Sequence, residues 1–229
     1  MQTIPIENLT YMLVPILIVA YFYYKWLDDS KEIAYATLRM VGQLLVIGYI
    51  LELLFKNDSV YLGILTVLFM ITVSSLIAFR SFKTKNMINY IDIFGAIAIG
   101  GTFNLVIVLA LVLDLKSLYI PMVMIPLAGM IYANAMNSVA ICAERFHHEL
   151  LNHSYEKARF FAFKAAMIPQ VNTLLAVGLV SLPGMMTGQI LSGVSPLIAA
   201  RYQIVVMAMV LGSSGMSTIL FLLWQKNRS

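Results

Sequence analysis

Charge is scarce in this chain. Asp, Glu, Lys and Arg make up 11% of its 229 residues, against 61% apolar residues and a mean hydropathy of +0.87. No soluble core of this length hides so much apolar surface, so the solvent for most of the chain is lipid. Cysteine is nearly absent. The single Cys142 permits no internal disulfide and stands in no CxxC or zinc-type spacing, which sets redox and structural-metal chemistry aside. There is no GxxxxGK[ST] phosphate loop. The GAIAIGG stretch, Gly95 to Gly101, lies inside an apolar run and lacks the lysine, so it reads as a small-residue face for helix packing. The chain is therefore not expected to hydrolyse ATP by itself or to hold a cofactor of its own. The first apolar run has no basic stretch before it, and Glu7 is the only early charge, so no removable signal peptide is expected. No serine, histidine and acid set falls in one membrane layer, which disfavours an intramembrane hydrolase.

What the chain does have is seven apolar runs close to the roughly 20 residues that cross a bilayer as a helix. They lie at about Leu9 to Leu27, Thr37 to Phe55, Val60 to Phe79, Ile91 to Leu113, Ile120 to Ala143, Phe161 to Leu182 and Tyr202 to Trp224. The expected fold is all-α: a polytopic membrane bundle of about seven transmembrane helices forming one domain over residues 1–229. Lys and Arg collect on the cytoplasmic side of membrane proteins. With the N-terminus outside and the C-terminus in the cytoplasm, twelve basic residues fall inside or at the inner boundary, and three, Lys56, Lys116 and Arg201, fall outside. Residues 144–160 are then the longest cytoplasmic connection. The pI of about 9.1 follows from this topology and implies no nucleic-acid partner.

Polar groups inside apolar runs are costly in lipid and usually face a bundle interior. Arg39 and Gln43 stand four apart on one face of the second run, and Glu52 lies near its outer end. Asn134 and Asn137 stand three apart in the fifth, and Gln170, Asn172 and Thr173 follow Pro169 in the sixth. These residues either line a substrate pathway or join helices through hydrogen bonds with no substrate role. His147, His148 and His153 fall in the cytoplasmic connection beside Glu144 and Glu149, in a spacing that matches no closed metal site. Methionine is plentiful at 15, with Met122 and Met124 in the fifth run and Met185 and Met186 later in the chain. Thioethers suit soft cations, yet methionine is also an adaptable packing residue.

The stretch VGLVSLPGMMTGQILSGVSP, Val177 to Pro196, places four glycines and two prolines in apolar surroundings. Irregular backbone at membrane depth is tolerated only where protein or a wet cavity receives its polar groups. Two structures fit: an ordinary outer loop, or a re-entrant turn or short broken helix over about residues 181–196. In the second, Pro183 ends the sixth helix, Gly184 and Gly188 allow close approach to neighbouring helices, Gly193 lies in the break, and Pro196 sets the final span.

Two segments carry a family likeness. IPMVMIPLAGMIYANAM, Ile120 to Met136, and VGLVSLPGMMTGQILSGVSP with the following AARYQIVVM, up to Met207, resemble signature stretches of the FetB-type iron-export ABC transporter permeases, a family that also resembles plant membrane subunits linked to aluminium tolerance. Arg39 and Gln43 followed by VIGYIL resemble it as well. The resemblance implies an inner-membrane permease that pairs with itself and exports metal ions, iron among them, powered by a separate ATP-binding subunit. It also implies that the 144–160 connection is the docking surface for that subunit, through Glu144, Arg145, Glu149, Glu156 and Arg159 on one short amphipathic helix. ERFHHELLNHSYEKARFFAFKAAMIP is shorter here than the family's corresponding stretch and lacks its glycine. An ATPase-independent secondary transporter or channel and a non-transporting scaffold are the alternatives from other classes.

Overall fold

The computed structural model describes residues 5–27, 31–56, 59–82, 86–115 and 119–226. The chain divides into two compact units, Met1–Asn57 and Asp58–Ser229. Lys83, Lys85, Lys116 and Arg228, four of the basic residues behind the expected orientation, lie outside the described residues.

In the first unit α1 (Ile6–Leu9) passes through a 3-10 turn, Thr10–Met12, into α2 (Leu13–Leu27), and α3 (Glu32–Phe55) follows. None of the side chains of α2 is buried. A helix that is apolar on every side suits contact with hydrocarbon all round, and Glu7–Leu27 and Glu32–Glu52 are long and apolar enough to cross a membrane.

The second unit contains α4 (Val60–Phe79), α5 (Met87–Ile107) with a π-helical continuation Val108–Val112, α6 (Pro121–Leu150), α7 (Tyr155–Ala176), α8 (Gly184–Leu191) and α9 (Pro196–Lys226). Helix α6 packs against α4, α5, α7 and α9 and so forms the centre of the unit. Its contact positions are small or shape-filling: Ala128, Ile131, Ala135, Val139, Cys142 and Ala143 are all fully buried. Lipid supplies no hydrophobic drive between helices, so close approach of small residues carries the packing. Gly100 shows how close: a Cβ added there would lie 2.8 Å from the backbone nitrogen of Ser217 on α9.

Helix starts follow local chemistry. The Asn86 side chain accepts from the Ile88 amide at 3.3 Å and caps α5. Pro121 and Pro196 open α6 and α9, where their missing N–H groups are not needed. Gly193, at φ 90°, makes the left-handed turn between α8 and α9 that a side chain would disfavour.

Three expectations require correction. The 144–160 segment is not a connection carrying its own short helix: α6 runs on to Leu150 and α7 starts at Tyr155, leaving only residues 151–154 as the turn. The sixth run ends as a helix at Ala176, not at Pro183. Gly178 there takes φ 81°, and Val177 and Ser181 pair as an isolated bridge. Gly184 and Gly188 support no close packing, since a Cβ at either would meet nothing within 4 Å. The short broken helix itself is present: Pro183 caps α8, which contains Gly184, Met185, Met186 and Gly188.

Among the described residues six helices are long and apolar enough to cross a membrane, and α7 is not one of them. Glu156, Lys157, Arg159 and Lys164 in its first half lower its hydropathy. Its 22 residues span about 33 Å. It runs antiparallel to α9 along its length. The Tyr155 hydroxyl donates to the Leu222 carbonyl at 2.8 Å at one end, and Leu174 and Val177 share a pocket with Ala200 and Ile204 at the other.

Candidate functional site

Helices α6 and α7 border an open pocket of about 370 Å3, lined by Asn134, Asn137, Ala140, Ile141, Pro169, Gln170 and Thr173 with Val210 of α9; four polar side chains edge it, the rest of its lining is apolar, and Asn137, Ile141, Pro169 and Thr173 are exposed. Its formation follows from helical spacing. Asn134 and Asn137 lie one turn apart on α6, and Gln170 and Thr173 lie one turn apart on α7, so each pair projects from one face. The short turn at 151–154 makes the helices antiparallel neighbours, which brings the two faces together. Asn137 is about 14 residues from that turn and Gln170 about 16, so the cavity lies about 20 Å along the hairpin from it.

Gln170 is 8% exposed, and its Nε2 donates to Ser138 Oγ at 3.1 Å, tying α7 to α6. Asn134 Nδ2 donates to the Met130 carbonyl at 2.8 Å within its own helix, and Thr173 Oγ1 donates to the Pro169 carbonyl at 2.8 Å. Asn134 and Gln170 thus commit amide donors to the protein and keep their amide oxygens as acceptors. Pro169 adds to this, because it has no N–H for the Ala165 carbonyl one turn back. Neutral oxygens are ordinary ligands for hard cations and for water. At about 30 Å3 per water, six hydration waters need about 180 Å3, so the cavity has room for a hydrated ion.

Four of the residues read from sequence as pathway candidates, Asn134, Asn137, Gln170 and Thr173, therefore line one pocket. Asn172 is exposed on the far side of α7, in a groove shared with α9. Arg39 and Gln43 lie on α3 in the first unit, half-buried and exposed respectively, and Glu52 is paired with Lys56 at 2.7 Å on the same helix. Met124 is buried in the core and Met122 is exposed on the opposite side, so the pair makes no shared ligand site. Met186 lines a separate pocket with Gln203 and Met207, and no group of three or more His, Cys, Asp or Glu that could hold a metal occurs among the described residues.

The charged end of the hairpin also differs from expectation. Glu144, Arg145, Glu156 and Arg159 are exposed, but Glu149 is buried. Its carboxylate receives Arg145 at 2.6 Å and His153 at 3.0 Å, so it locks the turn and presents nothing outward. Sequence reading missed Asp92, a buried acid that accepts from Gln225 Nε2 on α9 at 2.9 Å. The acid stood one residue inside the fourth apolar run; its partner, 133 residues away, carried no local signal. Ser138 was missed because one hydroxyl in an apolar helix ordinarily bonds its own backbone.

Residues 7–159 and 151–229 match the model of the family described as "Uncharacterised protein family (UPF0014)". The probable iron export permease protein FetB of Escherichia coli (strain K12) is 34% identical over 209 residues, covering 83% of this chain and 78% of that protein. The UPF0014 membrane protein YjkA of Bacillus subtilis is 31% identical over 209 residues, 83% of this chain and 81% of its own length. Protein ALUMINUM SENSITIVE 3 of Arabidopsis thaliana is 30% identical over 224 residues, 91% of this chain and 81% of its own. No solved structure matches. A multi-pass helical membrane chain matched along nearly its whole length, this protein belongs to the UPF0014 family.

Proposed function

We propose that the chain is the membrane permease of an ABC-type exporter of metal ions, with iron as the cargo and a separate ATP-binding subunit as the source of energy. The observation that carries this reading is the pocket between α6 and α7 that Asn134, Asn137 and Gln170 edge. Together with Pro169, which leaves the Ala165 carbonyl without its helical N–H partner inside the continuous helix α7, it offers neutral oxygens to a cation shedding water. The likeness to the FetB protein supports the cargo. The exposed end of the hairpin, with Glu144, Arg145 and Glu156, supplies the cytoplasmic face for the ATP-binding subunit, while Glu149 holds that face in shape. The permease pairs with itself in the inner membrane, N-terminus outside.

The test is ATP-driven iron efflux from reconstituted vesicles containing both subunits. An interhelical hydrogen bond in a membrane protein contributes about 0.6 kcal/mol on average, so Gln170→Leu should cost little stability. It should nonetheless cut efflux at least about tenfold, as should Asn134→Leu. Normal efflux from both variants would remove the cavity from the pathway, and efflux persisting without ATP would favour a secondary transporter.

A further inference from the structure

A second feature of the hairpin has no place in that reading. On its outer side α7 and α9 form a groove of about 690 Å3. From α7 it takes Arg159, Phe160, Phe163 and Lys164, then Met167, Ile168, Val171 and Asn172; α9 closes it with Ile219, Leu222 and Leu223. The α7 residues recur at helical spacing, so they form one stripe from residue 159 to 172, about 20 Å long. Both cations belong to the N-terminal half of the stripe, about one and a half turns apart, and beyond Lys164 the α7 part of the stripe is apolar down to Asn172. No acid is among the groove's lining residues, and the Glu156 carboxylate lies within interaction distance of Arg159 at its rim. Arg159 lies 5.5 Å over the Tyr155 ring and Lys164 6.0 Å over the Phe160 ring, which directs both heads along the same end of the helix.

We propose that this groove binds one anionic phospholipid, its phosphate between Arg159 and Lys164 and an acyl chain along Phe163, Met167 and Val171. The length suits one leaflet: half of a hydrocarbon core of about 30 Å is about 15 Å, and the groove adds the headgroup layer. The cationic end coincides with the start of α7 and the end of α9, beside Lys226, the side that the excess of basic residues marks as cytoplasmic. Anionic lipids favour basic pockets between helices on that side. A second copy of the chain suits the groove poorly. A two-fold axis along the membrane normal sets the same patch against itself at the same depth, and Arg159 would face Arg159.

The experiment uses the full chain in nanodiscs of equal phosphatidylglycerol and phosphatidylcholine, released into detergent and weighed with its retained lipid by native mass spectrometry. Wild-type protein should retain one phosphatidylglycerol in preference to phosphatidylcholine. The double variant Arg159→Gln, Lys164→Gln should lose that preference by about 25-fold, the product of about fivefold for each cation near an anionic surface. Val171→Trp, which fills the apolar half and leaves both charges in place, should lower retention of both lipids. Equal retention of the two lipids by wild type would overturn the proposal. So would a charge preference that Val171→Trp leaves untouched, because phosphate contact alone would then suffice. Disulfide dimers of a Met167→Cys variant formed in native membranes would assign the groove to a second copy.

Discussion

Replacing Gly100 by alanine tests the α5–α9 seam directly. The added carbon would lie 2.8 Å from the Ser217 backbone nitrogen and 3.0 Å from its Cα, where apolar contacts normally stand at about 3.5–4.0 Å. The Ser217 Oγ, which lies nearest of all, can rotate away, but the other two atoms belong to backbone, so a rotamer change alone does not relieve the clash and the helices must separate by about 0.5–1 Å. Overpacking of this kind costs about 1–3 kcal/mol. Alanine returns about 1 kcal/mol through its better helix propensity, leaving a net loss of up to about 2 kcal/mol. For a chain of this size each kcal/mol moves Tm by about 2–4 °C, so Gly100→Ala should melt lower, by up to about 8 °C, in detergent when followed by intrinsic fluorescence. Gly129 on α6 is the internal control: a Cβ there meets nothing within 4 Å, and Gly129→Ala should melt at the same temperature or higher. Equal shifts for the two variants would refute the assignment of Gly100 to a close helix crossing.

Gly193→Ala should destabilise the chain by about 1–2 kcal/mol, the cost of placing a side chain in the left-handed region, whereas Gly188→Ala in open space should be neutral; comparative thermal melts check both. Hydrogen bonds from its own backbone N–H and from Ser154, helped by Arg159 and Lys226, hold the Glu156 carboxyl below its ordinary value of 4.5. A depressed folded-state value favours the ionised form in the fold, so this contribution is present above about pH 4.5 and fades as the pH falls through the lower, folded-state value. Wild type should therefore melt slightly above Glu156→Gln at pH 7, with the gap closing in acid, and a gap that widens in acid would contradict this. Alkaline phosphatase fused to the C-terminus should be inactive and the same reporter in the connection after α3 active; the reverse pattern would invert the orientation.

The helices were legible in the sequence because lipid imposes long apolar runs, but their ends were not. Hydropathy reports where the surrounding solvent changes, and the backbone hydrogen-bond ladder has no reason to stop there. Helix α6 accordingly runs past Ala143 to Leu150, and α7 begins among charged residues at Tyr155. The pocket was half legible: Asn134, Asn137, Gln170 and Thr173 stood out as polar groups in apolar runs. Which of them meet was not, because that depends on the facing of two helices joined by a four-residue turn. Asn172, two residues from Gln170, lands on the opposite face for the same reason. The role of Gly184 and Gly188 was misread because glycine signals freedom of the backbone, and only neighbours decide whether that freedom is used for close contact.

The buried Glu149, held by Arg145 and His153, makes the hairpin corner a stiff joint between two rods. The same rods form the two walls of the cavity, about 20 Å further along. A tilt of about 5° between them would change the width of the cavity by nearly 2 Å, more than half the diameter of a water molecule. On the transport reading proposed above, a partner that pushes on the exposed corner would need no contact with a cation: it would work a lever whose short end is the corner and whose long end is the wall of the pocket.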